Sequence, residues 1–252
     1  IKKNFYTINK YGHRDFANNI KLDRCIVFHG GSLTFGQSLS DNETLPYIVG
    51  NLYAKKYNIF NFAFNGYGPH QFLAKLKSLD SDELEHCKHI VIIYQFIYDH
   101  IARTAGKRSW GDKSPRFIFK NKQLIQKGFF SDYPFKFIMK LRKNFRHSKV
   151  SNILFNLEKI NQKDKEILLQ VLKNIEKLAK NNFNSTEFIY LVWNDSLNQN
   201  KKIDYFFSNE KTIFVNDLGL ENNILYNNIP GDNHPTHEFN LVMANEIQNI
   251  LK

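Results

Sequence analysis

The sequence predicts a three-layer α/β/α sandwich built on a five-stranded, mostly parallel sheet. Five short runs rich in Ile, Val, Phe and Tyr recur along the chain and are mostly unalternated, as strands covered on both faces must be. Segments of helical periodicity alternate with them. No linker-like stretch divides the 252 residues, so the chain reads as a single domain, 1–252.

Taken in order, "CIVFHG" (25–30) is the first strand and "TLPYIVGNLYAKKY" (44–57) the first amphipathic helix. "YNIFNFAF" (57–64), "QFLAKLKSL" (71–79) and "HIVIIYQF" (89–96) continue as strand, helix, strand. The alternation then breaks. From about Thr104 to Asn161 the chain carries an insertion rich in aromatics and bases, with Lys136, Lys140, Arg142, Lys143, Arg146 and Lys149 interleaved with Phe135, Phe137 and Phe145. This basic segment, 136–149, suits an anionic surface, or it belongs to a cap whose lysines are simply solvated. Beyond it Ile167, Leu168, Val171, Leu172, Ile175, Leu178 and Ala179 form one apolar helical stripe. "EFIYLVW" (187–193) and "KTIFVND" (211–217) supply the last strands, and "EFNLVMANEIQNILK" the terminal helix.

Composition narrows the classes. A hydrophobic content of 42%, with 15% aromatic, excludes a disordered chain. No apolar run approaches the roughly 20 residues of a membrane-spanning helix. The formal net charge of +11 suits an acidic partner such as an anionic glycan, a membrane surface or nucleic acid, or else a solvated lysine-rich surface. Nucleic acid is the weakest of these, because the basic segment contains no recognition element. Cys25 and Cys87 are too few for a disulfide framework or a metal cluster; beside apolar runs, they are expected as buried free thiols. The chain opens at Ile1 without a methionine and shows no signal peptide, which points to a segment upstream of it.

Chemistry concentrates where strands end. "GGSLTFG" (30–36) surrounds Ser32 with glycines directly after the first strand. An isolated serine there is a helix cap. Glycines on both sides let the chain turn sharply and present amide N–H groups beside the hydroxyl, as stabilisation of an oxyanion requires. A nucleophilic serine needs a base, and the base an orienting acid. "PGDNHPTHEFN" offers Asp232 and His234, two residues apart just ahead of the terminal helix. His237 is the rival base, but it falls in the first turn of that helix and lacks such a partner. The glycine turn has neither the Gly-Lys-Ser/Thr ending of a P-loop nor a GxGxxG spacing, and "HPTH" is a poor metal motif, so no cofactor and no metal are expected.

These residues resemble the SGNH, or GDSL-type, hydrolases. "GGSLTFG" is similar to that family's first block, which carries the nucleophile. "NFAFNGYGPHQ" (61–71) is similar to the second, which supplies an oxyanion-hole glycine, and "DNHPT" (232–236) resembles the last, which bears acid and base. "YGHRD" (11–15) resembles a lead-in found in some bacterial members. The resemblance implies the flavodoxin-like SGNH hydrolase fold, with Ser32 as nucleophile, Asp232 as acid, His234 as base, and the N–H groups of Ser32 and Gly66 as oxyanion donors. It further implies a serine esterase acting on a small acyl ester of a carbohydrate or lipid. An O-acyltransferase to a glycan and a non-catalytic glycan- or anionic-lipid-binding domain are the alternatives. A periplasmic or otherwise extracytoplasmic location also follows from it. Two positions depart from the family pattern. Gly31 stands in place of its Asp beside the nucleophile, and Tyr98 stands where the third block has an oxyanion-donating Asn. The third donor is then Tyr98 or Gln95. Asp99 falls on the block's Asp, while His100 and Arg103 face either the substrate edge or solvent.

Overall fold

The computed structural model describes residues 4–15, 21–78, 83–132, 159–193, 207, 211–218, 229, 232 and 234–252. The basic segment 136–149 lies outside them. Two compact units divide the chain: one comprises Ile1–Asn65, Leu79–Ile97 and Ala179–Lys252, the other Gly66–Ser78 and Tyr98–Leu178.

The first unit holds the sheet. Its strands are β1 (Arg24–His29), β2 (Asn58–Asn61), β3 (His89–Phe96), β6 (Ser185–Val192) and β7 (Lys211–Phe214), in the order β2-β1-β3-β6-β7. Every pairing is parallel. The five strands are those expected from the apolar runs, with β2 and β7 shorter than their runs suggested. β2 ends as Phe62 turns its N–H to Phe28 O (2.8 Å), and β7 passes into a 3-10 turn over Val215–Leu218.

Strand order reverses at β1. The chain steps outward from β1 to β2, then returns across β1 to build β3, β6 and β7 on the other side. Helices lie on both sides of this parallel sheet, and the result is the α/β sandwich the sequence predicts. In open α/β sheets such a reversal marks the switch point beside which, at the carboxyl ends of the strands, ligands bind.

One face of the sheet is covered by α2 (Leu45–Tyr53) and the terminal helix α6 (His237–Leu251), which follow α1 (Ser32–Phe35) and the intervening helices in the chain. Ile26, Phe28, Val91, Ile93, Ile189 and Leu191 pack there against Leu45, Ile48, Val49, Phe239, Met243 and Ile247. The other face of the same strands is aromatic. The His29 imidazole stacks on Tyr94 at 4.3 Å between centroids, and Tyr94 meets Tyr190 edge-on at 6.2 Å.

A disulfide joins Cys25 to Cys87, with their Cα atoms 5.8 Å apart. The expectation of two free thiols is thereby corrected. Counting cysteines looks for frameworks, whereas these two residues meet because β1 and β3 are neighbours. Cys25 is the second residue of β1, and Cys87 lies two residues ahead of β3, whose His89 pairs with Arg24.

The second unit contains α3 (Pro69–Lys77), α4 (Asp99–Thr104), a hairpin of β4 (Pro115–Lys120) and β5 (Gln123–Phe129), and most of α5 (Gln162–Asn182). In α5 the predicted stripe is the buried one at Leu168, Val171, Leu172 and Ile175. Among the described residues no helix is long and apolar enough to cross a membrane.

Two buried histidines give the fold an acid-sensitive stability. Burial holds the imidazoles of His29 and His70 neutral and pushes each pKa down to about 3, the latter helped by the Arg103 charge. The unfolded chain therefore binds more protons than the native one between about pH 6.5 and pH 3. Stability is full above pH 6.5 and falls as pH drops through that window. At pH 5 each histidine costs roughly 2 kcal/mol by this linkage. Urea unfolding at pH 8 and pH 5 is expected to show that loss. His29→Phe, which keeps a ring against Tyr94 without a titrating nitrogen, removes its share of the slope. An unfolding free energy flat to pH 5 would contradict the assignment.

Candidate active site

The turn around Ser32 is built by close approaches that admit no side chain. A Cβ on Gly30 would lie 2.3 Å from Thr34 Oγ1 and 3.3 Å from the Gln95 carbonyl oxygen, and Gly30 has φ +159°. Glycine is the residue that lets β1 turn directly into α1 there. Ser32 is the first residue of that single helical turn, half-buried, with its carbonyl accepting from the N–H groups of Gly36 and Gln37 (both 3.0 Å). Gly36 ends the turn in the left-handed region (φ +79°), where a Cβ would meet Thr44 Cγ2 at 2.3 Å.

The turn is fixed on both sides. Thr34 Oγ1 donates to Gln95 Oε1 (2.9 Å) and Asn61 Nδ2 donates to Thr34 O (3.2 Å). Arg14, only 1% exposed, caps the loop that follows. Its Nη1 donates to the carbonyls of Phe35 (3.0 Å) and Gly36 (2.7 Å), its Nη2 to Leu39 O (2.6 Å), and its Nε to Asp41 Oδ1 (2.7 Å). The arginine of the lead-in "YGHRD" thus donates to three carbonyls of the sharp turn and the loop after it.

Asp232 and His234 come together as the sequence predicts. His234 Nδ1 is hydrogen-bonded to Asp232 Oδ1. Their loop closes on itself, with Asp232 N–H donating to Ile229 O (2.8 Å) and Ile229 N–H to His234 O (3.1 Å). Thr236 then caps α6 by accepting from Phe239 N–H (3.3 Å). His237 sits in the first helical turn with its Nδ1 3.5 Å from Glu43 O, a backbone carbonyl where His234 has a carboxylate. With Nδ1 directed to the carboxylate, the free tautomeric position of His234 is Nε2, the atom a general base uses.

Further hydrogen bonds join this C-terminal segment to the loop after Ser32. Ser38 Oγ donates to Asp232 Oδ2, and Asn240 Nδ2 donates to Glu43 O (3.0 Å). Ser32, Asp232 and His234 therefore belong to one unit, at the end of the sheet where β1 stops. The Ser32 hydroxyl itself makes no hydrogen bond among the described residues, to His234 included.

The remaining candidates take distinct places. Gln95 is buried, and its side-chain oxygen is engaged by Thr34, which makes it a brace of the turn around Ser32. In the second unit Gly66 has φ +77°, and a Cβ on it would lie 3.1–3.2 Å from the Trp110 indole. Tyr98 is half-buried at the head of α4. Asp99 accepts from Arg103 Nε (2.7 Å) and Arg108 Nε (2.6 Å), while Arg103 Nη1 donates to Tyr67 O (2.8 Å). Arg103 therefore ties α4 to the 66–68 turn, a role that spacing did not reveal.

Cys25, His86 and Cys87 each bring one ligand atom within 4.8 Å of the others, but the two sulfurs are bonded to each other, so no thiolate is left to hold a metal.

No protein-family model matches the chain, and no curated protein sequence matches it either. Solved structures do. TesA superposes with a TM-score of 0.52 at 12% identity, covering 90% of this chain and 98% of that one. The psychrotrophic esterase EstA from Pseudoalteromonas sp. gives 0.41 at 12% identity (90% and 95% covered). The lipase Lip_vut3 from a goat rumen metagenome gives 0.44 at 10% (90% and 96%). The strand order, the turn after β1 and the superposition on TesA agree: this chain has the fold of the SGNH, or GDSL-type, hydrolases.

Proposed function

We propose that the protein is a serine esterase that cleaves a small acyl ester of a carbohydrate or lipid through an acyl-enzyme on Ser32. The pairing of Asp232 with His234 in the loop before α6, in the same unit as Ser32, carries this reading.

His234 Nε2 takes the Ser32 proton as Oγ attacks the ester carbonyl. The tetrahedral oxyanion rests on the Ser32 N–H. Collapse breaks the bond to the alcohol oxygen, which leaves with the proton from His234. Water then gives its proton to His234 and attacks the acyl carbonyl, and the acid departs as Ser32 recovers its proton. Asp232 stays ionised throughout, holding Nδ1–H and stabilising the imidazolium. The Cys25–Cys87 disulfide supports an extracytoplasmic location, since such bonds persist in oxidising compartments.

Hydrolysis of an aryl acetate by native protein and by Ser32→Ala tests the reading. Loss of at least about 10³-fold in kcat is expected for the variant. Equal rates would leave a non-catalytic binding domain. Transfer of the acyl group to a glycan hydroxyl in preference to water would identify an acyltransferase using the same residues.

A further inference from the structure

We propose that Ser38 is the positioning residue for Asp232, and that the N-terminal arm holds Ser38 in that role. The inference rests on the reading of Asp232 as the catalytic acid. A carboxylate on a loop, gripped at one oxygen only, is free to swing about its own Cβ–Cγ bond. Asp232 is gripped at both: His234 Nδ1 meets Oδ1, and Ser38 Oγ donates to Oδ2. The second bond fixes the carboxylate plane, and with it the direction in which the imidazole faces.

Ser38 has a backbone that a serine rarely adopts. Its φ is +64°, in the left-handed region that favours glycine. A residue persists there when its surroundings over-determine it. Those surroundings are the arm: Ser38 N–H donates to Tyr6 Oη (2.9 Å) and Asn4 Nδ2 donates to Ser38 O (2.8 Å). Tyr6 is itself seated over the Arg14 guanidinium (4.4 Å) and edge-on to Phe35 (5.6 Å). Thr7 adds a bond from its hydroxyl to Asp41 Oδ2 (2.7 Å), on the carboxylate that Arg14 holds by its other oxygen. N–H, carbonyl and hydroxyl of Ser38 are thus all engaged. Glycine would satisfy the backbone more easily; what serine adds is the hydroxyl on Asp232.

Ser38→Gly separates the two roles, because it removes the hydroxyl and relieves the backbone together. The expected result is a thermal midpoint equal to or above the native one. With it comes an about 10- to 100-fold lower kcat on an aryl acetate, as for a lost hydrogen bond to a charged group, with KM little changed. The low-field proton resonance of His234 Nδ1–H, identified by its absence in Asp232→Asn, is expected to broaden or vanish. Native kcat with an unchanged resonance in Ser38→Gly would overturn the proposal and leave Ser38 as a turn residue. If the native protein hydrolyses no ester, the esterase reading fails by itself. The resonance then decides the placement of Asp232: its loss in Ser38→Gly supports the proposal, and its persistence overturns it.

Discussion

Replacing both Cys25 and Cys87 by alanine is expected to lower the unfolding free energy by about 4 kcal/mol. The bond closes a loop of 62 residues, and loop-closure entropy for that length gives about this figure. The cross-link ties the entry of β1 to the segment that leads into β3, the two central strands of the sheet. Both cysteines are buried, so alanine leaves small voids in addition to the entropy term. Urea unfolding with and without dithiothreitol checks this. The native protein loses its extra stability under reductant, and the double variant is indifferent to it. Identical midpoints for native protein with and without reductant would contradict the result.

Asp232→Asn is expected to lower kcat on the order of 10⁴-fold, the loss that the wrong imidazole tautomer causes in a Ser-His-Asp triad. The carboxylate accepts from His234 Nδ1 and leaves Nε2 with a lone pair for the serine proton. An asparagine amide donates to Nδ1 instead, and the proton then sits on Nε2, where it blocks the base. KM should change little, because Asp232 makes no contact that both substrate and transition state require. A change of only a few-fold, measured by initial rates on an aryl acetate, would reduce Asp232 to an ordinary partner of a surface histidine.

What the sequence disclosed follows from how each element is stabilised. Strands buried on both faces leave unbroken apolar runs, so Arg24–His29, His89–Phe96 and Ser185–Val192 were legible within two residues of their ends. The stripe of α5 was legible for the same reason. The β4–β5 hairpin was not. Its two strands are joined by Asn121 and Lys122, both with positive φ (51° and 60°), a two-residue turn that Asn-Gly usually announces and Asn-Lys conceals. In the candidate site, Ser32, Asp232 and His234 stood in motifs with local spacing. Ser38 and Arg14 act across 194 and 27 residues of chain, on Asp232 and Asp41 respectively, and such partners follow from the fold alone. The disulfide is of that kind too: it depends on β1 lying beside β3, which no count of cysteines contains.

Covalent capture tests the role of Ser32 most directly. The folded protein is to be treated with a fluorophosphonate, digested and mapped by mass spectrometry. A single phosphonyl adduct on Ser32, absent from Ser32→Ala and strongly slowed in His234→Ala, is the predicted result. No adduct on the folded protein, or an adduct on another serine that survives in Ser32→Ala, would contradict a nucleophile at the end of β1.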